Sequence, residues 1–156
     1  MQNTKKTTDL KVAEIKVSYF SKIDLKDAPC ITCSRDAFKI FLTNWKLNEL
    51  ELRESFKVML LNRKNIVKGI YTVSEGGVSG TVADPKLIFS VALKTITSSI
   101  VLAHNHPSGN IIPSDSDLAL TNRLREAGKL LDIDVIDHII IGTPHTYYSF
   151  ADEGRL

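Results

Sequence analysis

The stretch Ala103-His104-Asn105-His106-Pro107-Ser108-Gly109-Asn110-Ile111-Ile112-Pro113-Ser114-Asp115-Ser116-Asp117 decides how this chain is read. His104 and His106 flank one residue at the end of an apolar run. Side chains alternate along an extended strand, so both imidazoles project to one side and Asn105 to the other. Pro107, Gly109 and Pro113 then turn the chain sharply, and the helix expected to begin at Ser114 brings Asp117, in its first turn, back toward the two rings. Two nitrogens and one carboxylate make three protein ligands and leave the fourth position of a tetrahedral ion open. That is the pattern of catalytic rather than structural zinc.

Working outward, Ser99 to Ala103 is a short apolar strand, and Ser114 to about Leu131 an amphipathic helix opened by acidic residues. A last strand is expected at Val135 to Ile141. Upstream, Asp84-Pro85 is a cap followed by a proline in the first helical turn, which predicts a helix running to about Thr97. Phe56 to Leu61 and Ile66 to Val73 are β-rich runs separated by the polar cluster Asn62-Arg63-Lys64-Asn65, and so read as a hairpin. Ser74 to Gly80 reads as a flexible loop. Ser34 is placed to cap a helix carrying Ala37, Phe38, Phe41, Leu42 and Trp45. Before it, Ala13, Ile15, Val17 and Tyr19 alternate with polar residues, the pattern of a further strand. This order predicts a mixed α/β fold, a central mixed β-sheet flanked by helices, with the informative loop between a strand's C-terminal end and a helix. Residues 1–33 read as a polar segment, strand and connector, and 34–156 as the main domain.

The 156 residues suffice for one domain with its own core, and 43% hydrophobic with 24% charged residues is ordinary for a globular protein. The formal net charge of +2 does not nominate a nucleic-acid binder. No apolar run reaches the roughly 20 residues that span a bilayer, and the opening residues lack the hydrophobic segment of a signal peptide, so no membrane partner and a cytoplasmic location are expected. Cys30 and Cys33 form one C-x-x-C, at most half of a closed zinc site, and read as incidental thiols.

His104 to Asp117 satisfies the pattern His-x-His-Pro, six residues, Ser-x-x-Asp, and therefore resembles the JAMM (Mov34/MPN/PAD-1) metallopeptidases. The fuller string His-Asn-His-Pro-Ser-Gly, with Asp137-His-Ile-Ile-Ile-Gly142, is similar to the RadC branch of that family and its C-terminal domain. The resemblance covers roughly Ser34 to the C-terminus. It implies a JAMM/cytidine-deaminase-like fold, one zinc ion on His104, His106 and Asp117, water attacking a peptide or isopeptide carbonyl, an upstream glutamate as base, and a serine, at Ser114, assisting the oxyanion. RadC proteins commonly carry an N-terminal module resembling helix-hairpin-helix DNA-binding segments. Nothing before Ser34 has its length or paired glycines, so the catalytic part alone is expected. A peptide or protein substrate follows, DNA is not supported by the sequence, and ubiquitin is disfavoured because the insertions that grip it do not fit.

For the base, Glu54 precedes a hydrophobic strand as the family's glutamate does, and Glu75 is the reserve. Ser-x-x-Asp is also the arrangement of a helix cap, so Ser114 has a structural role that competes with catalysis. His138 and His145 lack a ligand partner at helpful spacing and read as structural or exposed, while Asp137 is a candidate to orient a ligand from behind. Trp45 reads as core. Three rival readings remain: a DNA repair or recombination accessory protein, an iron site built on the same ligands, and a non-catalytic scaffold.

Overall fold

The computed structural model describes residues 26–76 and 82–156, together with residues 13, 16, 18–21, 23 and 24. The flanking-strand expectation for Ala13 to Tyr19 lies largely outside the described residues, and those described there carry no strand. Tyr19 nonetheless reaches the domain, its hydroxyl donating to the carbonyl of Lys68 at 2.9 Å.

In chain order the elements are α1 (Ser34–Thr43), a 3-10 turn (Leu47–Glu49), β1 (Ser55–Leu61), β2 (Val67–Glu75), α2 (Pro85–Lys94), β3 (Ser99–Asn105), α3 (Asp115–Leu130), β4 (Asp134–Thr143) and β5 (Thr146–Ser149). One five-stranded sheet runs in the order β2-β1-β3-β4-β5. The β1–β2, β1–β3 and β4–β5 pairs are antiparallel, and β3 and β4 are parallel, joined by the crossover helix α3. This is the mixed sheet the sequence predicts. It differs in three details. Strand β2 continues through Ser74 and Glu75, so the loop expected there begins later. Helix α2 stops at Lys94, where Ile96 takes a positive φ of 51° that no helix continues through. The chain ends on β5, a four-residue edge strand too short to stand out by periodicity.

Alternation sorts the apolar side chains onto two faces. Phe56, Val58, Leu60, Ile100 and Leu102 pack with Ile88, Phe89 and Ala92 of α2 and Leu124 of α3. Met59, Leu61, Val101, Ala103, Ile139 and Ile141 pack with Ala37, Phe38 and Phe41 of α1 and with Trp45. Strands buried on both faces read as continuous apolar runs, which is why β1 and β3 are fully buried along their length.

One irregularity matters for the site. Ile100 pairs with Val135 but Val101 pairs with Asp137, so β4 carries one extra residue at Ile136. Val135 and His138 therefore share the face covered by α2 and α3, while Asp137 turns to the face covered by α1.

Candidate metal centre

Strand β3 ends on His104 and Asn105, and the pairing of Phe56 with His104 puts both side chains on the α2/α3 face. The turn after His106 is held by the N–H of Gly109 donating to the carbonyl of His106 (2.9 Å). At its far side α3 starts with a full capping box. The Ser114 hydroxyl accepts from the N–H of Asp117, and Asp117 Oδ2 accepts from the N–H of Ser114 at 2.8 Å and from its hydroxyl at 2.6 Å. The cap fixes the Asp117 rotamer, and with it the position of Oδ1.

These elements bring the three sequence-nominated residues together. His104 Nε2 lies 3.0 Å from His106 Nε2 and 3.2 Å from Asp117 Oδ1, and His106 Nε2 lies 3.6 Å from Asp117 Oδ2. One ligand atom from each of the three lies within 4.8 Å of the others, close enough for all three to reach a single ion at the usual bond lengths of about 2.0–2.2 Å with small adjustments. Two ring nitrogens aimed at each other beside a carboxylate leave an excess of lone pairs, which a cation satisfies. Among the described residues no other trio of histidine, cysteine, aspartate and glutamate converges in this way. Cys30 and Cys33 are both free thiols on exposed residues.

The electrostatics agree with a site built for positive charge. Burial works against the charge of Asp117, but the imidazoles of His104 and His106 and the Ser114 hydroxyl hold its carboxyl far below the usual carboxylate range. His106 is raised above its ordinary value by Asp117, against the effect of burial, with the Asn110 carbonyl and the charge of Glu54 adding to the rise. His106 Nδ1 lies 2.6 Å from the Asn110 carbonyl, which only accepts. The Nδ1 proton belongs there, and Nε2 is left to face the site.

Glu54 is the residue just before β1 and is near enough to His106 for its charge to act there; the N–H of Gly76 donates to its carbonyl at 2.8 Å. Glu75 pairs with Ser55 and turns instead toward Lys46 at 3.3 Å and Arg53 at 3.7 Å. Of the two glutamates, Glu54 is the one whose charge reaches His106. Ser114 is beside the site, with its hydroxyl engaged in the cap.

Two residues behave otherwise than the sequence suggests. Asp137 does not touch the trio: its carboxylate accepts from Ser149, from the N–H of Ala151 and from the N–H of His138, and burial pushes its carboxyl up. His138 is fully buried and lies directly behind His104, its Nε2 2.9 Å from His104 Nδ1. Burial, followed by the proximity of His104, lowers His138 well below the ordinary histidine range. A period-two count from Val135 nominates Asp137 for this place, and the extra residue at Ile136 gives it to His138 instead. Asn105, buried on the α1 face, also has a definite role: Oδ1 accepts the N–H of Ser55, and Nδ2 donates to the carbonyls of Leu50 and Arg53.

A mixed sheet whose parallel strand delivers one histidine and the turn after it a second, and whose crossover helix delivers an aspartate, defines a JAB-type domain, a metal-dependent hydrolase fold. The profile of the RadC-like JAB domain matches residues 31–155, and the chain belongs to that family. It is 42% identical over 124 residues to a UPF0758 protein of Flavobacterium johnsoniae, covering 80% of this chain and 52% of that one. A UPF0758 protein of Porphyromonas gingivalis is 43% identical over 129 residues, 81% of this chain and 54% of the relative. One from Pelobacter propionicus is 37% identical over 151 residues, 97% of this chain and 64% of the relative. The chain thus spans between half and two thirds of the length of these relatives.

Proposed function

We propose that this domain is a zinc-dependent hydrolase of amide bonds, acting on a peptide or isopeptide linkage of a polypeptide substrate. The observation that carries the proposal is the convergence of His104, His106 and Asp117, with Glu54 near enough for its charge to act on His106. Three nitrogen and oxygen donors with no thiol suit a catalytic ion with an open position. When bound, zinc supplies Lewis acidity, lowering the pKa of a coordinated water toward about 7 and polarising a carbonyl.

The protein's own groups manage the protons. Glu54 takes the proton of the attacking water and returns it to the departing amine, which must leave protonated. Asp117 and His106 hold charge at the site, and the capping box keeps the Asp117 carboxylate from rotating away. The Ser114 hydroxyl has a single proton and gives it to Asp117, so we assign Ser114 to fixing a ligand rather than to the oxyanion.

The test is metal content by elemental analysis of the wild type beside His106→Ala, with folding checked by circular dichroism, followed by a peptide and isopeptide screen including Glu54→Gln. Near-stoichiometric zinc in the wild type, lost in the folded His106→Ala variant, and turnover abolished in zinc-loaded Glu54→Gln are the expected results. Equal metal in wild type and His106→Ala overturns the ligand assignment. Full activity in Glu54→Gln moves the base elsewhere.

A further inference from the structure

Behind the trio lies a run of buried hydrogen bonds that ends on a metal ligand. Thr121 Oγ1 is 2.6 Å from the carbonyl of Asp117, one helical turn earlier, and 2.7 Å from His138 Nδ1; His138 Nε2 is 2.9 Å from His104 Nδ1. Thr121, His138 and His104 are all buried, at 0%, 0% and 1% exposure, so water does not supply the missing partners.

The proton positions follow from the chemistry of each group. A carbonyl only accepts, so the single hydroxyl proton of Thr121 goes to Asp117. The hydroxyl oxygen is then an acceptor, and His138 must offer it Nδ1–H. A neutral imidazole protonated at Nδ1 carries its lone pair on Nε2, and that lone pair accepts from His104 Nδ1–H. With its Nδ1 proton held by His138, His104 turns Nε2, the atom that lies 3.0 Å from His106 and 3.2 Å from Asp117, to the site as the nitrogen that can coordinate a cation. Phe150 stacks on the His138 ring at 4.9 Å and Phe56 tilts against it at 5.6 Å, so the ring has no room to turn over.

We propose that Thr121 and His138 are positioning residues that hold a proton on His104 Nδ1, so that Nε2 is the nitrogen His104 gives to the cation. The inference rests on the metal-site reading above and deepens it. The same helix that contributes Asp117 as a ligand contributes, through its backbone carbonyl and Thr121, the first constraint on a ligand from another element.

Two measurements on the full chain test it: zinc affinity by competition with a chromophoric chelator, and imidazole tautomers in the metal-free protein by long-range nitrogen–proton correlation spectroscopy. In the wild type, His104 and His138 should both carry a proton on Nδ1. Thr121→Val keeps the shape of the side chain, and with no acceptor left for His138 Nδ1–H His104 should lose its Nδ1 proton and zinc affinity fall roughly 10- to 100-fold. Thr121→Ser should restore both readouts. His138→Phe should weaken zinc by a similar factor, and His138→Gln, whose amide oxygen can accept from His104, should recover part of it. Wild-type zinc affinity in both Thr121→Val and His138→Phe, or a wild-type His104 without a proton on Nδ1, overturns the relay. Equal zinc content in wild type and His106→Ala overturns the metal site itself, and the tautomer spectrum still decides the relay separately.

Discussion

Asn105 Oδ1 accepts the backbone N–H of Ser55 at 2.8 Å, while its amide nitrogen donates to Leu50 at 2.8 Å and Arg53 at 2.9 Å. The residue between the two histidines thus holds the backbone on both sides of Glu54 from the opposite face of the sheet. Buried polar groups left without partners cost about 1–3 kcal/mol each. Asn105→Ala should therefore destabilise the domain by at least about 2 kcal/mol in urea unfolding and reduce turnover beyond the loss in folded fraction, because Glu54 loses its anchor. Full activity per folded molecule would show that the segment holds itself.

At Gly142, near the end of β4, a side chain meets a neighbouring loop. A Cβ there would lie 2.6 Å from the Gly109 carbonyl and 2.6 Å from Ile111 Cγ2, so the turn that bears Asn110 has to move. That turn holds His106 in orientation. Gly142→Ala should cost about 1–3 kcal/mol, as overpacking commonly does, and weaken zinc binding in the folded protein. Zinc titration checks it; unchanged affinity would mean that the turn yields without disturbing His106.

Ser114→Ala removes the side-chain half of the cap and the hydroxyl bond to Asp117 Oδ2, leaving the Ser114 N–H bond to that oxygen in place. Loss of a cap of this kind costs about 1 kcal/mol, or roughly 2–4 °C in Tm for a domain of this size. Zinc affinity should fall with it, since Asp117 Oδ2 loses the hydroxyl, and Ser114→Thr should retain both. Loss of turnover with Tm and zinc affinity intact would return Ser114 to a direct part in the reaction.

Protons compete with the cation for His106. Because Asp117 raises His106 above the ordinary imidazole value of about 6.5, its protonation sets in at higher pH than in an isolated histidine. Zinc affinity should therefore decline on acidification beginning above pH 6.5, with Asp117 remaining ionised throughout that range. Chelator competition between pH 8 and 6 measures the slope. An affinity flat down to pH 6.5 would place His106 outside the coordination.

Most of the sheet and the convergence of the candidate trio were legible because their signals are local: alternation in β1 and β3, proline and capping chemistry at α2 and α3, and the close spacing of two histidines and an aspartate. What periodicity does not carry is how strands meet. That Glu75 turns away toward Lys46 and Arg53 follows from its pairing with Ser55, and the exchange of Asp137 for His138 from one extra residue in β4. Both depend on register, which is a property of two strands at once.

The proposed ligands all come from the short stretch from His104 to Asp117, whereas Glu54 lies just before β1, far earlier in the sequence. Closing a short loop is entropically cheaper than closing a long one. A cation pocket can therefore assemble once β3, its turn and the first turn of α3 come together, but chemistry must wait until the β1–β2 hairpin docks alongside. On this ordering, the proposed cation pocket forms before the proposed base is in place.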